Sequence, residues 1–263
     1  AAALAILVDE KKISWDDRVQ KYLPYFELYD PYVSYDFRIR DLLCHRSGIQ
    51  TFGGDLLWYG TPYSREEVVR RARYLKQAFP FRGGYGYSNI MFIAAGEVVE
   101  EASGQSWEEF IRHRFLEPLG MKRTVLSVKK LSGKSNVATP HAETEDGIRT
   151  FPWRDWDNTV PAGGIISSVS DLAQWLRLQL GRGTFAGRQI FSRQQSRLMW
   201  TPHVSFTPSE RGEERYPHAR LNGYGLGWQL SVYRGALLAH HGGAYDGMVS
   251  HTAVVPDKQL GVA

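Results

Sequence analysis

Tyr87 and Asn89 flank Ser88 in the stretch GGYGYSNIM (83–91), directly after a glycine-rich turn and before a long apolar run. A tyrosine phenol titrates at about 10, so it accepts a proton near neutral pH only when a neighbouring cation lowers its pKa. An asparagine amide offers an acceptor and two donors, so it can hold an ammonium group and a substrate amide together. The pattern therefore predicts proton chemistry if a cation and a nucleophile lie beside it. The structural alternative is that Ser88 or Asn89 caps the following helix while Tyr87 packs.

A second candidate site lies in HHGGAYDGM (240–248), at the end of the apolar run ALLA. His241, Gly242 and Gly243 would leave a strand edge that a ligand can approach closely, because glycine has no side chain to obstruct it. The backbone N–H of Ala244 on such an edge can donate to a developing oxyanion. The alternative is an ordinary Gly-Gly hairpin with a half-buried histidine.

The other reactive or aromatic side chains give weaker signals. Cys44 is the only cysteine, which excludes an intrachain disulfide and a CxxC metal or redox pattern. The remaining histidines lack HExxH or His-x-His spacing, so no metal site is expected, and no cofactor is expected either. His45 is interpreted as a side chain that hydrogen-bonds locally and keeps a turn in place. Trp58, Tyr59 and the tryptophans of PWRDWDN (152–158) are either core residues or the wall of a pocket for a moderately apolar substrate.

Composition narrows the class of protein and of partner. The 263-residue chain has 43% hydrophobic and 23% charged residues, as an ordinary soluble globular protein does. Its net charge is +4, but basic and acidic residues are interleaved, as in SREEVVRRARYLK (64–76), so a nucleic-acid partner is not expected. The apolar stretch AAALAILV is too short to span a membrane and lacks the basic lead-in of a signal peptide. The expected partner is a small-molecule or peptide substrate, and the oligomeric state is left open.

Capping and periodicity signals place the candidate residues on helices followed by strands. Ser-x-x-Glu capping boxes open helices at Ser64 and Ser106, and Ser168 opens another. The predicted helices are 1–10, 64–77, 89–103, 106–117, 168–181 and 192–200. From Asn222 onward, alternating apolar residues between glycine and Pro-Asp turns predict several antiparallel strands joined by hairpins. Because predicted helices come first and a predicted meander of strands comes last, the sequence indicates the α+β class. Residues 125–160 are predicted to be a long polar excursion on the surface.

Six segments together resemble the serine β-lactamase and penicillin-binding-protein superfamily, in its class C-like esterase and D-peptidase branch. They are IRDLLCHRSGI, GYGYSNIMFIAAGEVVEEASGQSWEEFI, FLEPLGMKRT, PAGGIISSVSDLAQWL, YGLGW and AHHGGAYDGM. They occur in family order over the whole chain, so the series is more specific than any one motif. The resemblance implies a single β-lactamase/transpeptidase-like domain over 1–263, an antiparallel sheet flanked by helices. It also implies a mainly helical lobe at 25–165 and an α/β lobe built from 1–24 and 166–263.

The resemblance further implies an active site of three motifs, a nucleophilic Ser-x-x-Lys, a Tyr-x-Asn and a Lys/His-x-Gly, analogous to the Ser-x-x-Lys, Ser-Asp-Asn and Lys-Thr-Gly set. Tyr87 would help to deprotonate the serine and then protonate the leaving group, while Asn89 would bind the lysine and the acyl amide. His241 would support Tyr87 or a substrate group. Gly243 and Ala244 would bind substrate, with the Ala244 N–H supplying half of the oxyanion hole. The implied activity is acyl transfer to water from an ester, amide or lactam through an acyl-serine.

The chain departs from the family pattern at the first motif. Its only Ser-x-x-Lys runs from Ser127 to Lys130, in a polar stretch that opens no apolar helix, so we expect it not to be the nucleophile. In the family, a stretch like AAALAILVDE follows the Ser-x-x-Lys within a few residues, and QLGVA (259–263) stops in what looks like a strand. The chain is therefore expected to be a fragment truncated at both ends, inactive by itself although its parent is an enzyme, with an unpaired sheet edge prone to aggregation.

Two alternative functions stay open. A D-amino-acid peptidase or cell-wall carboxypeptidase would use the same chemistry, and a non-catalytic penicillin-recognition module would use none. The presence of both Tyr87 and Asn89 argues against the module, because binding alone needs no base. The sequence leaves the substrate open, and export is expected only by likeness to periplasmic relatives.

Overall fold

A six-stranded antiparallel sheet is the largest β element of the computed structural model, which describes residues 1–263. The ten strands are β1 His141–Thr144, β2 Gly147–Thr150, β3 Thr184–Phe185, β4 Arg188–Gln189, β5 Val204–Ser205, β6 Ala219–Tyr224, β7 Gln229–Tyr233, β8 Ala236–Tyr245, β9 Met248–Val255 and β10 Leu260–Val262. The large sheet has the order β10-β9-β8-β7-β6-β5, and β1–β2 and β3–β4 are separate hairpins. Every neighbouring pair is antiparallel, which confirms the predicted meander and the α+β class.

Two-residue turns set the register at the centre of the sheet. Arg234 and Gly235 connect β7 to β8 with φ of 48° and 81°, the two left-handed residues that a type I′ turn requires. Asp246 and Gly247 connect β8 to β9, and Gly247 has a φ of 71°. Because side chains alternate between the faces of a strand, these short turns fix which residues of β8 face each side.

Ten helices pack around this sheet and form the rest of the core. They are α1 Ala2–Asp9, α2 Pro31–Asp36, α3 Arg65–Arg71, α4 Asn89–Ser103, α5 Trp107–Ile111, α6 Glu117–Leu119, α7 Val160–Gly163, α8 Val169–Leu180, α9 Arg193–Met199 and α10 Glu210–Arg215. Single turns of 3₁₀ helix are Val19–Lys21, Ile39–Leu43, Asp55–Leu57, Ala72–Tyr74, Val128–Leu131, Asp157–Thr159 and Pro256–Lys258, and a π turn, Arg112–Leu116, joins α5 to α6. The helices predicted at 1–10, 89–103, 168–181 and 192–200 are confirmed as α1, α4, α8 and α9.

The helix predicted at 64–77 is shorter than expected. α3 ends at Arg71, and after one 3₁₀ turn Leu75 is extended. Ser64 accepts a hydrogen bond from the Glu67 N–H, but the Glu67 carboxylate pairs with Arg71 instead of returning to Ser64, so only half of the capping box forms. At Ser106 both halves of the box form.

α4 is the central helix of the core. It packs against α1, α3, α5 and α7, while α8 covers β9 and β10. The buried hydrophobic residues form one cluster of 48, so a continuous apolar core supports both the sheet and the helices. The N-terminus of α4, where the Tyr87 segment enters, is therefore fixed by the packing of the whole helix.

Most of residues 125–160 lie on the surface as predicted, although Pro140, Thr159 and Val160 are buried. The segment also contains the β1–β2 hairpin, which was not predicted. Every residue of β1 and β2 is exposed. The hairpin reaches the β8–β9 turn, where the His141 N–H donates to the Gly247 carbonyl at 3.1 Å. No helix of the structure is both long and apolar enough to cross a membrane.

Candidate active site

The segment that carries Tyr87 is held in place through its backbone. Gly86 donates its N–H to the His45 carbonyl at 2.8 Å, and a Cβ on Gly86 would lie 2.0 Å from the Ile49 carbonyl oxygen, so only glycine fits there. The Tyr87 N–H donates to Thr51 Oγ1 at 3.2 Å, and its carbonyl accepts from the Phe52 N–H at 2.8 Å. The phenol is left available to a substrate.

Tyr87 and His241 come from segments more than a hundred residues apart and meet at one place. Their ring centroids are 6.2 Å apart, and the centroid of the His45 ring lies 4.2 Å from that of Tyr87. Burial, and then the negative charge of Asp55, raise the pKa of Tyr87 above its usual value. Both causes favour the protonated phenol, so Tyr87 is neutral near pH 7.

Both ring nitrogens of His241 are already engaged. Nδ1 lies 2.5 Å from the Gly242 carbonyl oxygen, and Nε2 lies 2.8 Å from the Tyr224 hydroxyl. Because a carbonyl can only accept, the proton sits on Nδ1, and the Tyr224 hydroxyl donates to Nε2. Burial lowers the pKa of His241, so the ring is neutral at pH 7. No hydrogen bond therefore joins His241 to Tyr87.

Tyr224 is a residue of this site that the sequence analysis did not single out. It ends β6, is fully buried, and its ring lies 4.6 Å from the His45 ring. Its position in the YGLGW segment was the available signal, but nothing local shows that its hydroxyl reaches a histidine on another strand.

Ser88 does not cap α4, so that part of the structural alternative is wrong. It occupies the N-cap position without a side-chain capping bond, and its buried Oγ has no partner. Its N–H donates instead to His45 Nδ1 at 3.0 Å. His45 therefore bonds across the fold, which corrects the expectation of a purely local contact. Burial lowers the pKa of His45 to about 3, so this ring is neutral.

Asn89 is the first residue of α4 and is oriented by a carboxylate. Its Nδ2 donates to Asp55 Oδ2 at 3.0 Å, and Asp55 Oδ1 accepts from Trp58 Nε1 at 3.0 Å. With the amide nitrogen directed at Asp55, the Asn89 Oδ1 can accept from an ammonium group. Burial raises the pKa of Asp55. Asp55 was not found from the sequence, because no motif marks it.

Gly242, Gly243 and Ala244 lie inside β8, so the hairpin alternative for the glycine pair is wrong; the turn falls after Tyr245. β7 pairs with β8 only as far as His240, whereas β9 pairs along the whole of 241–245. Successive residues of an antiparallel strand direct their N–H and C=O groups to opposite sides. Tyr245 and Met248 close the two-residue turn, so Tyr245 directs its backbone N–H and C=O to β9. Ala244, the preceding residue, therefore directs its N–H to the other side, which β7 has left open.

Ser127 lies in a different setting. It opens the 3₁₀ turn Val128–Leu131, which has no buried residue, and its Oγ donates to Asp157 Oδ2 at 3.0 Å. Lys129 pairs with the same carboxylate at 2.8 Å, and Lys130 is exposed. This serine is therefore a capping residue of a surface turn.

A cavity of about 540 Å³ adjoins Ala244. Its aromatic walls, which we call the aromatic pocket, are Trp58, Tyr59, Trp156 and Tyr245. A larger groove of about 700 Å³ lies at the β5–β6 edge, lined by residues from 205 to 222, and touches none of the candidate residues. Trp58 is thus both a core residue and part of the pocket wall, and Trp156 packs against the core and also lines the pocket, so the two predicted possibilities do not exclude each other.

The fold and this arrangement define a β-lactamase/transpeptidase-like protein of the serine β-lactamase and penicillin-binding-protein superfamily. The Beta-lactamase family model matches residues 1–263, and the chain belongs to that family. Relatives that are named as a hydrolase and as an amidase are found in this family, which is that of the β-lactamase-like serine hydrolases.

Individual relatives agree with this assignment. An unguisins hydrolase, ungD′, of Aspergillus campestris is 30% identical over 274 residues, which cover 100% of this chain and 49% of that protein. An octameric penicillin-binding protein homologue from Pyrococcus abyssi superimposes with a TM-score of 0.83 at 25% identity, over 99% of this chain and 57% of that chain. A D-stereospecific amidohydrolase from Streptomyces sp. gives 0.79 at 23% identity, over 99% and 76%. The chain spans about half the length of the curated relatives it matches at 30% and 28% identity.

Proposed function

We propose that residues 1–263 form the proton-transfer and substrate-binding part of a serine hydrolase that transfers an acyl group from an ester, amide or lactam to water. The observation that carries this proposal is that Tyr87, next to Asn89 in the chain, lies beside His241, on the same strand that has an open edge at Ala244. Such an edge next to an acid–base group is what acyl transfer requires, because the oxyanion and the leaving group both need a donor.

In this proposal Tyr87 is the group that moves the proton. The serine oxygen adds to the substrate carbonyl while its proton passes to the Tyr87 oxygen, and collapse breaks the bond to the leaving group, which takes that proton. Water then repeats the sequence on the acyl-serine and releases the acid. Because burial and Asp55 raise the pKa of Tyr87, the phenolate needs a lysine ammonium beside it, and Asn89 Oδ1 is placed to accept from one.

We propose that the nucleophile is supplied from outside residues 1–263. Ser127 caps an exposed turn, and Ser88 is fully buried beside His45. A nucleophilic serine gains from the N-terminus of a buried helix, where free N–H groups and the helix dipole lie beside its oxygen. Ser127 lies on no such helix, and Ser88, at the N-cap of α4, has a buried Oγ that a substrate cannot reach.

The two lobes are part of the same proposal. Tyr87 and Asn89 belong to the helical lobe, 25–165, whereas His241 and Ala244 belong to the α/β lobe, 1–24 and 166–263. A substrate held between these four residues would lie in a cleft between the lobes, where ligand sites commonly occur.

The test uses a fluorophosphonate probe and one substitution. Chain 1–263 alone should remain unlabelled, and the parent protein that carries a Ser-x-x-Lys segment should be labelled stoichiometrically. In that parent, Tyr87→Phe should lower kcat by roughly 10²–10⁴-fold, as expected for a general acid–base group. Tyr74→Phe is the matched control, because Tyr74 is 74% exposed and outside the site.

Each result decides a part of the proposal. Labelling of chain 1–263 at Ser127 would show that this serine is the nucleophile after all. An unchanged kcat for Tyr87→Phe would leave the phenol a packing residue. A parent that binds penicillin without acylation would be a recognition module, and turnover confined to D-amino-acid amides would make it a D-peptidase.

A further inference from the structure

The aromatic pocket is built from rings that support one another. The ring centroids of Trp156 and Tyr245 are 3.9 Å apart, those of Trp58 and Trp156 are 5.0 Å apart, and those of Tyr59 and Trp156 are 6.0 Å apart. Trp156 is therefore the central wall of the cavity. Ring pairs at such separations hold each other in place and present flat apolar faces to a ligand.

The pocket is joined to the residues of the proposed reaction at two points. Ala244, whose N–H faces the open edge of β8, lines the cavity. Trp58 shares the Asp55 carboxylate with Asn89, one on each oxygen. A ligand whose reacting carbonyl lies at the Ala244 N–H can thus place the chemical group next to that carbonyl in the pocket.

Two polar atoms of the pocket residues lack hydrogen-bond partners. Trp156 Nε1 is a buried donor with none, and Asp246 Oδ2 is a buried acceptor with none. The charge of Asp246 is already met, because Arg154 Nε lies 3.4 Å from Oδ2 and the Tyr59 hydroxyl donates to Oδ1 at 3.0 Å. The pocket therefore has no uncompensated charge to attract a cation, whereas the Trp156 N–H still requires an acceptor.

We infer that the aromatic pocket binds the aromatic side chain of a neutral peptide or amide, next to the carbonyl that reacts. This inference rests on the proposed function, since it names the substrate class of that site. Flat ring walls favour an aromatic group, and the compensated carboxylate disfavours a charged one.

The test measures binding, because binding needs no nucleophile. Chain 1–263 is titrated with N-acetyl-phenylalaninamide and with N-acetyl-alaninamide, each as both enantiomers, followed by two-dimensional NMR. At least one phenylalanine enantiomer should bind roughly tenfold or more tighter than its alanine counterpart, the discrimination an apolar pocket gives. Chemical-shift changes should centre on Trp156 and Ala244.

Substitutions test whether the ring at position 156 is needed. Trp156→Phe keeps an aromatic ring in the wall of the pocket, so the preference for the phenylalanine amide should be retained. Trp156→Ala should abolish the preference, and Met248→Ala, which removes another lining side chain, should reduce it. Trp175→Phe, on α8 against Phe115, is the control and should change neither affinity.

The inference would be overturned if the two amides bound equally well, if neither of them bound, or if the preference survived Trp156→Ala. Unfolding transitions of the variants identify any that fail to fold, in which case Met248→Ala decides. If chain 1–263 shows the preference but its parent never forms an acyl-enzyme, the result contradicts the proposed function and leaves the pocket inference intact. If the parent is labelled and active but has no preference for the phenylalanine amide, the result contradicts the pocket inference and leaves the proposed function intact.

Discussion

At the scale of single residues, the site depends on which hydrogen-bonding partner each ring has. His241 is a neutral histidine with a defined tautomer because Gly242 accepts at Nδ1 and Tyr224 donates at Nε2. Removal of either partner would free a ring nitrogen within reach of Tyr87. Tyr224 is therefore a positioning residue for His241.

Tyr224→Phe should shift the tautomer equilibrium of His241 and raise its pKa relative to the parent, because a donor to Nε2 opposes protonation there. The stability loss should be modest, about 0.5–1.5 kcal/mol for one hydrogen bond. Long-range ¹H–¹⁵N correlation spectra of the imidazole, recorded across pH, report both quantities. Tyr233→Phe on β7 is the control, since this tyrosine is 38% exposed. An unchanged tautomer in Tyr224→Phe would mean that Gly242 alone sets it.

At the scale of elements, one buried carboxylate ties together the segments that carry His45 and Tyr87. Asp41 lies in the 3₁₀ turn Ile39–Leu43 and is fully buried. Its oxygens accept from Arg46 Nε at 2.6 Å and from Arg82 Nη2 at 2.7 Å. Arg46 follows His45 directly, and Arg82 precedes the Gly83–Gly84 pair that leads to Tyr87. The carboxylate therefore fixes the start of both site segments.

Asp41→Asn should destabilise the protein by roughly 3 kcal/mol, because it removes the counter-charge of Arg46 and one of the two carboxylates that pair with Arg82, the other being Asp36. Urea unfolding followed by circular dichroism measures the change. Asp16→Asn is the matched control: Asp16 pairs with Arg40 but its side chain is 66% exposed, so the loss should stay within about 1 kcal/mol. A loss of similar size in both variants would mean that burial of Asp41 adds nothing.

At the scale of the whole molecule, buried histidines make the fold sensitive to acid. Burial lowers the pKa of His45 to about 3 and that of His240 to about 4. Below about pH 6.5, the ordinary pKa of histidine, the unfolded chain binds protons that the folded chain does not bind. The contribution of these histidines to stability is therefore complete above that pH and is lost as the pH drops towards 4. Glu97 acts in the opposite sense, because burial and Glu100 raise its pKa to about 7. Its contribution is present below about 4.5, the ordinary glutamate value, and is lost as the pH rises through 7.

His45→Asn should make the fall of unfolding free energy between pH 6 and 4 shallower by up to about 1.4 kcal/mol per pH unit, the effect of one proton. Asparagine keeps an acceptor for the Ser88 N–H and tolerates the left-handed φ of 57° at this position, but it cannot be protonated. Urea unfolding at a series of pH values gives the slope. His113→Asn, at an exposed site, should leave it unchanged, and an unchanged slope in His45→Asn would contradict the assignment.

The sequence by itself determined the elements whose signals are local. α4 could be bounded at 89–103 because an apolar run ends at Gly104, which takes the left-handed φ of 71° that stops a helix. The strands after Asn222 followed from alternation and glycine turns, and the family followed from six segments in order. Tyr87, Asn89 and His241 could be named as site residues because each lies in one of those segments.

Only the tertiary structure decided which partners those residues have. Asp55 orients Asn89 from 34 residues away, Tyr224 engages His241 from a neighbouring part of the sheet, and Trp156 reaches Tyr245 from the surface excursion. None of these contacts follows from spacing, since each depends on how α4 packs and where β7 ends. Local propensity specifies a helix or a strand, but the bonding of a buried polar group depends on what the fold brings to it.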